Sequence, residues 1–268
     1  MDFGKIIGLV LVPGILFAGV SISGGVGAFN DPPALLIVVG GTLATAFLAL
    51  PLPVLMAAPK IFLKLVFGKE TNPVELIVAL VTLARRARKE GLLALENDIE
   101  SIEDPFLRKG MQLAVDGMEP NGLREVLQLE IKSMKQRHAV NRAFFDHGSV
   151  IAPGFGLIAT LMGLIHMLGN LSDPSSLGPS MAMAFIGTFY GGVVAYTLVI
   201  PISSALFNKT EDESRIRSMV LEGVIGIQSG ESPRVIEEKL KAFLPPAKRK
   251  LVPDLSSGAG GEARDAAA

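Results

Sequence analysis

The chain has 268 residues, 49% hydrophobic and only 19% charged, with a mean hydropathy of +0.46. That balance lies outside the range of an ordinary water-soluble domain and points to a membrane protein. A net charge of −1 and a pI near 6.3 exclude the basic surface of a nucleic-acid binder, and the lack of cysteine excludes disulfide frameworks, CxxC zinc clusters and thiol catalysis.

Residues 3 to 21 are apolar apart from Lys5, with Pro13-Gly14 in the middle, and read as a kinked first span. A signal peptide would look similar, but no small-x-small cleavage site precedes a polar segment. The stretch SISGGVGAFND (21–31) breaks the helix, and Pro32-Pro33 opens the next at its first turn. A second span is expected from Ala34 to Ala58, with Gly40, Gly41, Thr42, Ala44, Thr45 and Ala46 as small residues for close helix packing.

From Lys60 to His147 the chain carries 14 Lys/Arg and 13 Asp/Glu and reads as an aqueous helical domain. Leu76, Leu80, Leu83 and Ala87 recur at helical spacing, Gly91 interrupts, and a second helical run (LREVLQLEIKSMKQRHAVNRAFFDHG) leads straight into the next apolar segment as a long stalk. Between Gly148 and Leu206 the only formal charge is Asp173, and NLSDPSSLGPS divides the apolar residues into spans three and four. The tail is charged and partly amphipathic, and past Pro245 its composition reads as disordered.

The expected fold is therefore all-α: a polytopic membrane protein with four transmembrane helices and a helical cytoplasmic domain between helices two and three. Its segments are 1–59 and 148–206 (membrane), 60–147 and 207–246 (cytoplasmic) and 247–268 (tail). The connectors at about 22–32 and 170–179 contain no Lys or Arg, whereas Lys60, Lys64, Lys69, Arg142 and Lys209 flank the other span ends. The positive-inside rule then puts both termini and the large loop in the cytoplasm.

The chemistry-bearing pattern lies in spans three and four. Pro153 and Pro201 each remove a helix hydrogen bond near the cytoplasmic end; each is a site of flexing or a static kink. Pro153, Gly156, Thr160, Gly163 and Met167 share a face of span three, while Gly187, Thr188, Gly191, Gly192 and Ala195 form a small-residue seam on span four. Thr160 either bonds back to its own helix or offers an oxygen to a passing cation. His166 is an intramembrane ionisable group, a functional candidate by default and otherwise a boundary histidine bonded to a neighbour. No span contains Asp or Glu, so an ion path here needs an acid from another chain.

The run APGFGLIATLMGLIHMLGNLSDPSSLGPSMAMAFIGTFYGGVVAYTLVIPISSAL, with ARKEGLLALE and GIQSGESPRVIEEKLKAFLP, closely resembles the MotA/PomA proteins, four-span subunits of the bacterial flagellar stator. The resemblance covers nearly the whole chain. It implies a non-enzymatic subunit of the inner membrane, without a resident cofactor, five copies of which ring a dimer of MotB/PomB-type partners anchored to peptidoglycan. The partner would bring the missing aspartate beside Thr160 and Thr188. Pro153 and Pro201 match the family's two functional prolines, and Arg88 and Glu96 its charged contact with the rotor protein FliG. The coupling ion would be H+ or Na+. Sodium-type members commonly carry two adjacent threonines in span four, and Gly187 stands in place of the first. Losing that oxygen weakens a site for a desolvated cation, so protons are favoured, with transient Na+ near Thr160 and Thr188 as the other reading. The alternative is an energiser of the ExbB/TolQ type, which usually has three spans. An intramembrane protease using His166 lacks a nucleophile elbow, and a passive scaffold would use the prolines and threonines only for shape.

Overall fold

A computed structural model describes residues 3–22, 25–68 and 71–253, and every regular element among them is helical. Two compact units result, one from Met1–Lys69 with Arg137–Lys209, the other from Glu70–Gln136 with Thr210–Ala268.

In the first unit, α1 (Phe3–Ile22) runs through Pro13. A short 3-10 turn (Val26–Phe29) follows, and Asp31 caps α2 (Pro32–Leu35) by accepting from the Ala34 N–H at 2.9 Å. A π-helical turn (Leu36–Gly40) leads into α3 (Gly41–Ala49). The second span does not continue to Ala58 as expected. Leu50 is extended (φ −123°, ψ 144°) and α4 (Leu52–Phe67) starts anew. Pro51 is the reason, because its ring forces the preceding residue out of helical geometry.

Among the described residues, three helical stretches are long and apolar enough to cross a membrane, within Pro32–Ala49, Pro120–Gly169 and Pro174–Gln228, whereas α1 offers the shorter apolar stretch Val10–Ile22. The polar divider before the last stretch is also shorter than its composition indicates. Asp173 accepts from the Ser175 backbone N–H and hydroxyl, Pro174 takes the first helical position, and α9 (Pro174–Gly192) already includes SSLGPS. The Ser175 hydroxyl, then its N–H, holds the Asp173 carboxyl below the usual range. Leu48, Leu36 and Ile165 stand 89%, 74% and 69% exposed, apolar surface suited to lipid or a partner.

The second unit has its own core. α5 (Pro73–Glu90) buries Leu76, Leu80 and Leu83, with Ala87 partly buried, as the spacing predicts, and ends where Gly91 takes φ +89°. A 3-10 turn (Leu92–Leu95), α6 (Glu96–Ile99) and α7 (Pro105–Val115) follow. The unit is completed by the early turns of α8 (Pro120–Gly169), the late turns of α10 (Ile200–Gln228), and α11 (Pro233–Lys241). Close approach is set by glycine here too: a Cβ on Gly223 would meet Leu80 Cδ1 at 2.8 Å. Order extends past Pro245, against the expectation of a disordered tail from 247. α12 (Pro246–Arg249) forms one turn, and Val252 is buried in the core. An apolar residue that reaches a core outweighs the low complexity around it. Residues 254–268 lie outside the described ones.

Candidate functional site

The helical run expected before span three does pass directly into it: α8 is unbroken for 50 residues and carries Pro153 inside it. Across from it, α9 joins α10 through a π-helical turn, Val193–Val199, that ends just before Pro201. A proline lacks the N–H that would close an ordinary turn, and a widened turn beside it is one way a helix stays continuous. Both prolines thus sit in continuous helix.

The seam between α8 and α9 is backbone against backbone. A Cβ on Gly163 would stand 2.7 Å from Ala184 N, one on Gly191 2.9 Å from Ala152 O, and one on Gly156 3.1 Å from Gly187 O. Only glycine allows such approach, which explains the seam read from the sequence. Gly187 is the tightest position, where an added Cβ would meet the Ala159 Cβ at 2.4 Å. The missing hydroxyl at 187 therefore has a packing cause: the Ala159 methyl fills the space.

Closeness brings Thr160 and Thr188 together. Their hydroxyls are in direct contact, and Thr160 Oγ1 also lies 2.9 Å from Gly156 O and 3.0 Å from Ala184 O. A hydroxyl has one proton to donate, so among these four oxygens acceptors outnumber donors. Thr160 therefore both bonds back to its own helix and faces the neighbouring one. Thr188 is exposed and Thr160 half-buried, leaving the oxygen cluster open on one side. That cluster can hold a hydrated proton or help ligate a small cation, with no carboxylate of its own.

His166 does not join it. Six residues on from Thr160 it points about 120° away around the helix, its side chain is exposed, and its backbone carbonyl accepts from Asn170 Nδ2 at 2.9 Å.

Arg88 and Glu96 lie in the second unit on either side of the Gly91 bend, both exposed and outside the ion pairs among the described residues. Their neighbour Arg86 is engaged instead, bonding Glu90 at 3.0 Å and Asp98, which together raise its pKa, the Glu90 hydrogen bond most. Arg88 lines a shallow cavity of about 340 Å³ with Arg85, Lys89, Ser232, Pro233 and Arg234. Four cations and no carboxylate converge there, and Arg85 Nη2 is buried without a hydrogen-bond partner. Sequence reading missed Arg85 and Arg234, since 149 residues separate them and only the packing of α11 on α5 brings them together. It also missed Ala159, whose methyl carries no chemical signal.

The comparisons agree with this architecture. Residues 6–91 match the motility protein A N-terminal family and residues 98–219 the MotA/TolQ/ExbB proton channel family. The chain is 38% identical to motility protein A of Borreliella burgdorferi over 98% of this chain and all of that one. It is 35% identical to the chemotaxis protein PomA of Vibrio alginolyticus over 94% and 98%. Among solved structures, it superposes on the flagellar MotAB stator complex from Bacillus subtilis with a TM-score of 0.85 at 32% identity, covering 94% of this chain and 100% of that one. The C. jejuni MotAB structure gives a TM-score of 0.84 at 28% identity, covering 92% and 97%. From its N-terminal helices to its late membrane helices, this chain belongs to the MotA/PomA family of flagellar stator subunits.

Proposed function

We propose that this stator subunit, joined to a MotB-type membrane partner, passes protons along the Thr160–Thr188 face and converts their flow into rotation of a five-membered ring around the partner. The observation that carries this reading is the open four-oxygen cluster without an acid. A carboxylate from the partner, placed against Thr188, would complete a site that binds a proton and releases it. The energetic case is ordinary: a carboxylate within a membrane is costly alone, and polar oxygens beside it lower that cost. Protons are favoured over sodium because the Ala159–Gly187 contact leaves no room for a further hydroxyl, whereas a proton needs only the carboxylate and water.

The same reading places α1 as a fourth span, given its 20 helical residues, in the bacterial inner membrane with lipid around the ring. Residues 1–59 and 148–206 would form the membrane part, 60–147 and 207–246 the cytoplasmic part, with both termini cytoplasmic, on the Lys/Arg placement. Arg88, with Arg85, Lys89 and Arg234 beside it, would meet acidic groups on the rotor protein FliG, and exposed Glu96 would meet basic ones. Exposed charges steer encounter and add little standing affinity, which suits a contact that forms and breaks repeatedly. Pro153 and Pro201 would transmit the movement from the path to the cytoplasmic part. No resident cofactor or enzymatic step enters this scheme. The alternative, an ExbB/TolQ-type energiser, is disfavoured by the match of residues 6–91 to the motility protein A N-terminal family.

The test is co-expression with a MotB-type partner in a motile host lacking its own stator, with swimming measured with and without sodium. Swimming in sodium-free medium is the expected result. Rotation only with sodium would overturn the choice of ion, and failure to rescue with any compatible partner and rotor would overturn the motor reading.

A further inference from the structure

The sequence of the first unit contains four carboxylates, Asp2, Asp31, Asp146 and Asp173. Asp2 lies outside the described residues. Asp31 and Asp173 cap helices, their oxygens committed to the backbone N–H groups of Ala34 and Ser175. Asp146 caps nothing. It lies inside α8, where its Oδ1 accepts from the Ser203 hydroxyl of α10, and its Oδ2 accepts from Arg142 Nε at 2.9 Å.

Its position is as telling as its partners. Asp146, Pro153 and Thr160 are spaced by seven residues, nearly two helical turns, so the three share a stripe of α8 that extends about 21 Å from Asp146 to Thr160. Ser203 stands two residues beyond Pro201 on the other helix. The two prolines and the two threonines of the path thus have a carboxylate and a hydroxyl in contact beyond their cytoplasmic end. From Gly148 to Ser172 no other acid intervenes.

We propose that Asp146 is the carboxylate that receives the coupling cation as it leaves the Thr160–Thr188 level for the cytoplasm, with Ser203 and Arg142 holding its oxygens between passages. The proposal rests on the ion-path reading above. A cation leaving the partner's carboxylate gains a second anionic stop on its way to bulk water, which lowers the barrier to release. With a proton as the cation, an O–H bond breaks on the partner's carboxyl, water carries the proton, and an O–H bond forms on Asp146 before the proton passes to cytoplasmic water. Arg142 does not lock the acid. The pair is an i,i+4 contact with the Asp146 side chain 44% exposed, in the weak class of partly solvated ion pairs. The guanidinium also lies 5.1 Å over the Phe207 ring, a second resting place when the carboxylate is occupied. The other charged or titratable groups that α4, α8 and α10 carry in this unit are Lys60, Lys64, Arg137, His138, His147, His166 and Lys209; His147 Nε2 is 3.3 Å from Thr45 Oγ1, and Lys209 Nζ bonds the Lys64 carbonyl.

The experiment uses the full complex in the stator-lacking host, with fluorescent stators counted at motors and swimming speed recorded against the external concentration of the coupling cation. Asp146→Asn should reach motors in normal number yet lose speed, and Asp146→Glu should restore most of it. Ser203→Ala should raise the half-saturating cation concentration at unchanged maximal speed, a split that a merely structural hydroxyl would not produce. If Asp146→Asn swims with normal cation dependence while Thr160→Val stops the motor, the exit role is overturned and the path stands. If Asp146→Asn and Asp146→Glu both fail to reach motors, Asp146 is structural and the proposal is overturned. If neither Asp146→Asn nor Thr160→Val affects swimming, the path reading falls with it.

Discussion

Between Ala152 and Gly191 the two membrane helices touch backbone to backbone, whereas around Arg88 four cations share a shallow cavity with no acid to answer them. Each region owes its character to what is missing, Cβ atoms in one and countercharge in the other. Interiors are close-packed, so a missing Cβ is a geometric requirement, and adding an atom forces whole helices apart. An exposed charge is surrounded by water, so reversing it leaves the fold intact and alters only what approaches. Substitutions in the seam should therefore act through assembly, and substitutions on the basic face through torque alone.

The largest effect expected is at Gly191 and Gly163. Gly191→Val would drive its side chain into Ala152 O and the Gly156 backbone, and Gly163→Val into Ala184. Overpacking of this kind typically destabilises by about 1–3 kcal/mol where side chains yield; here the obstacles are backbone, so loss of the folded complex is expected. Immunoblots of membranes and thermal melting of the purified complex measure it. Normal amounts with normal swimming would break the contrast between the two regions.

Gly187→Thr comes next and sharpens it. Alone it should destabilise, because the added Cβ meets the Ala159 methyl at 2.4 Å. Combined with Ala159→Gly, which removes that methyl, most of the stability should return, a non-additive coupling of about 0.5–3 kcal/mol for directly touching residues. The double variant then carries a third hydroxyl near Thr188, and its swimming with and without sodium reads whether that oxygen changes the ion. Additive losses would show that Ala159 is not what excludes a side chain at 187.

How far the sequence could be read differs between the regions for the same physical reason. The seam was legible because glycines at three- and four-residue spacing leave a signature along one helix, and Thr160 and Thr188 came with it. The reason for Gly187 was not, since a methyl on the facing helix leaves no trace in span four. The helix end at Gly91 was marked by the glycine itself, whereas Asp173-Pro174 was read as part of a turn-rich connector although it caps the start of α9. The break at Leu50 was passed over because the apolar run hides Pro51, and Val252 because one buried residue is invisible within a polar tail. On the basic face, Arg88 was found by resemblance alone, and Arg85 and Arg234 could not be paired with it by spacing. Asp146, two residues before the expected start of span three, was counted with the aqueous residues, although its seven-residue spacing to Pro153 was there to be read.

The basic face should give a smaller effect on stability and a selective one on function. Arg88→Glu puts a negative charge among Arg85, Lys89 and Arg234, and swimming should fall sharply while stators still accumulate at the membrane. Surface substitutions of this kind usually change stability by no more than about 0.5 kcal/mol, so the melting temperature should hardly move. Arg234→Glu should act in the same direction, because α11 brings its guanidinium to the same cavity. A normal swimmer there would confine the contact to α5.

Glu96→Gln is expected to do least. The side chain is exposed, in no ion pair among the described residues, and stands beyond the Gly91 bend from Arg88. It lacks the clustered like charges that concentrate a field at the cavity, so a single neutralisation should reduce swimming only slightly. Added to Arg88→Glu, it should deepen the defect without lowering stator number, because both charges would act on the approach of one partner. Raising ionic strength should weaken exposed contacts of this kind generally, screening them within about 10 Å at 0.1 M salt. A Glu96→Gln loss as severe as that of Arg88→Glu would mean that the rotor contact depends on individual charges rather than on the cluster around Arg88, and the distinction between a packed seam and a summed field would then hold only for the seam.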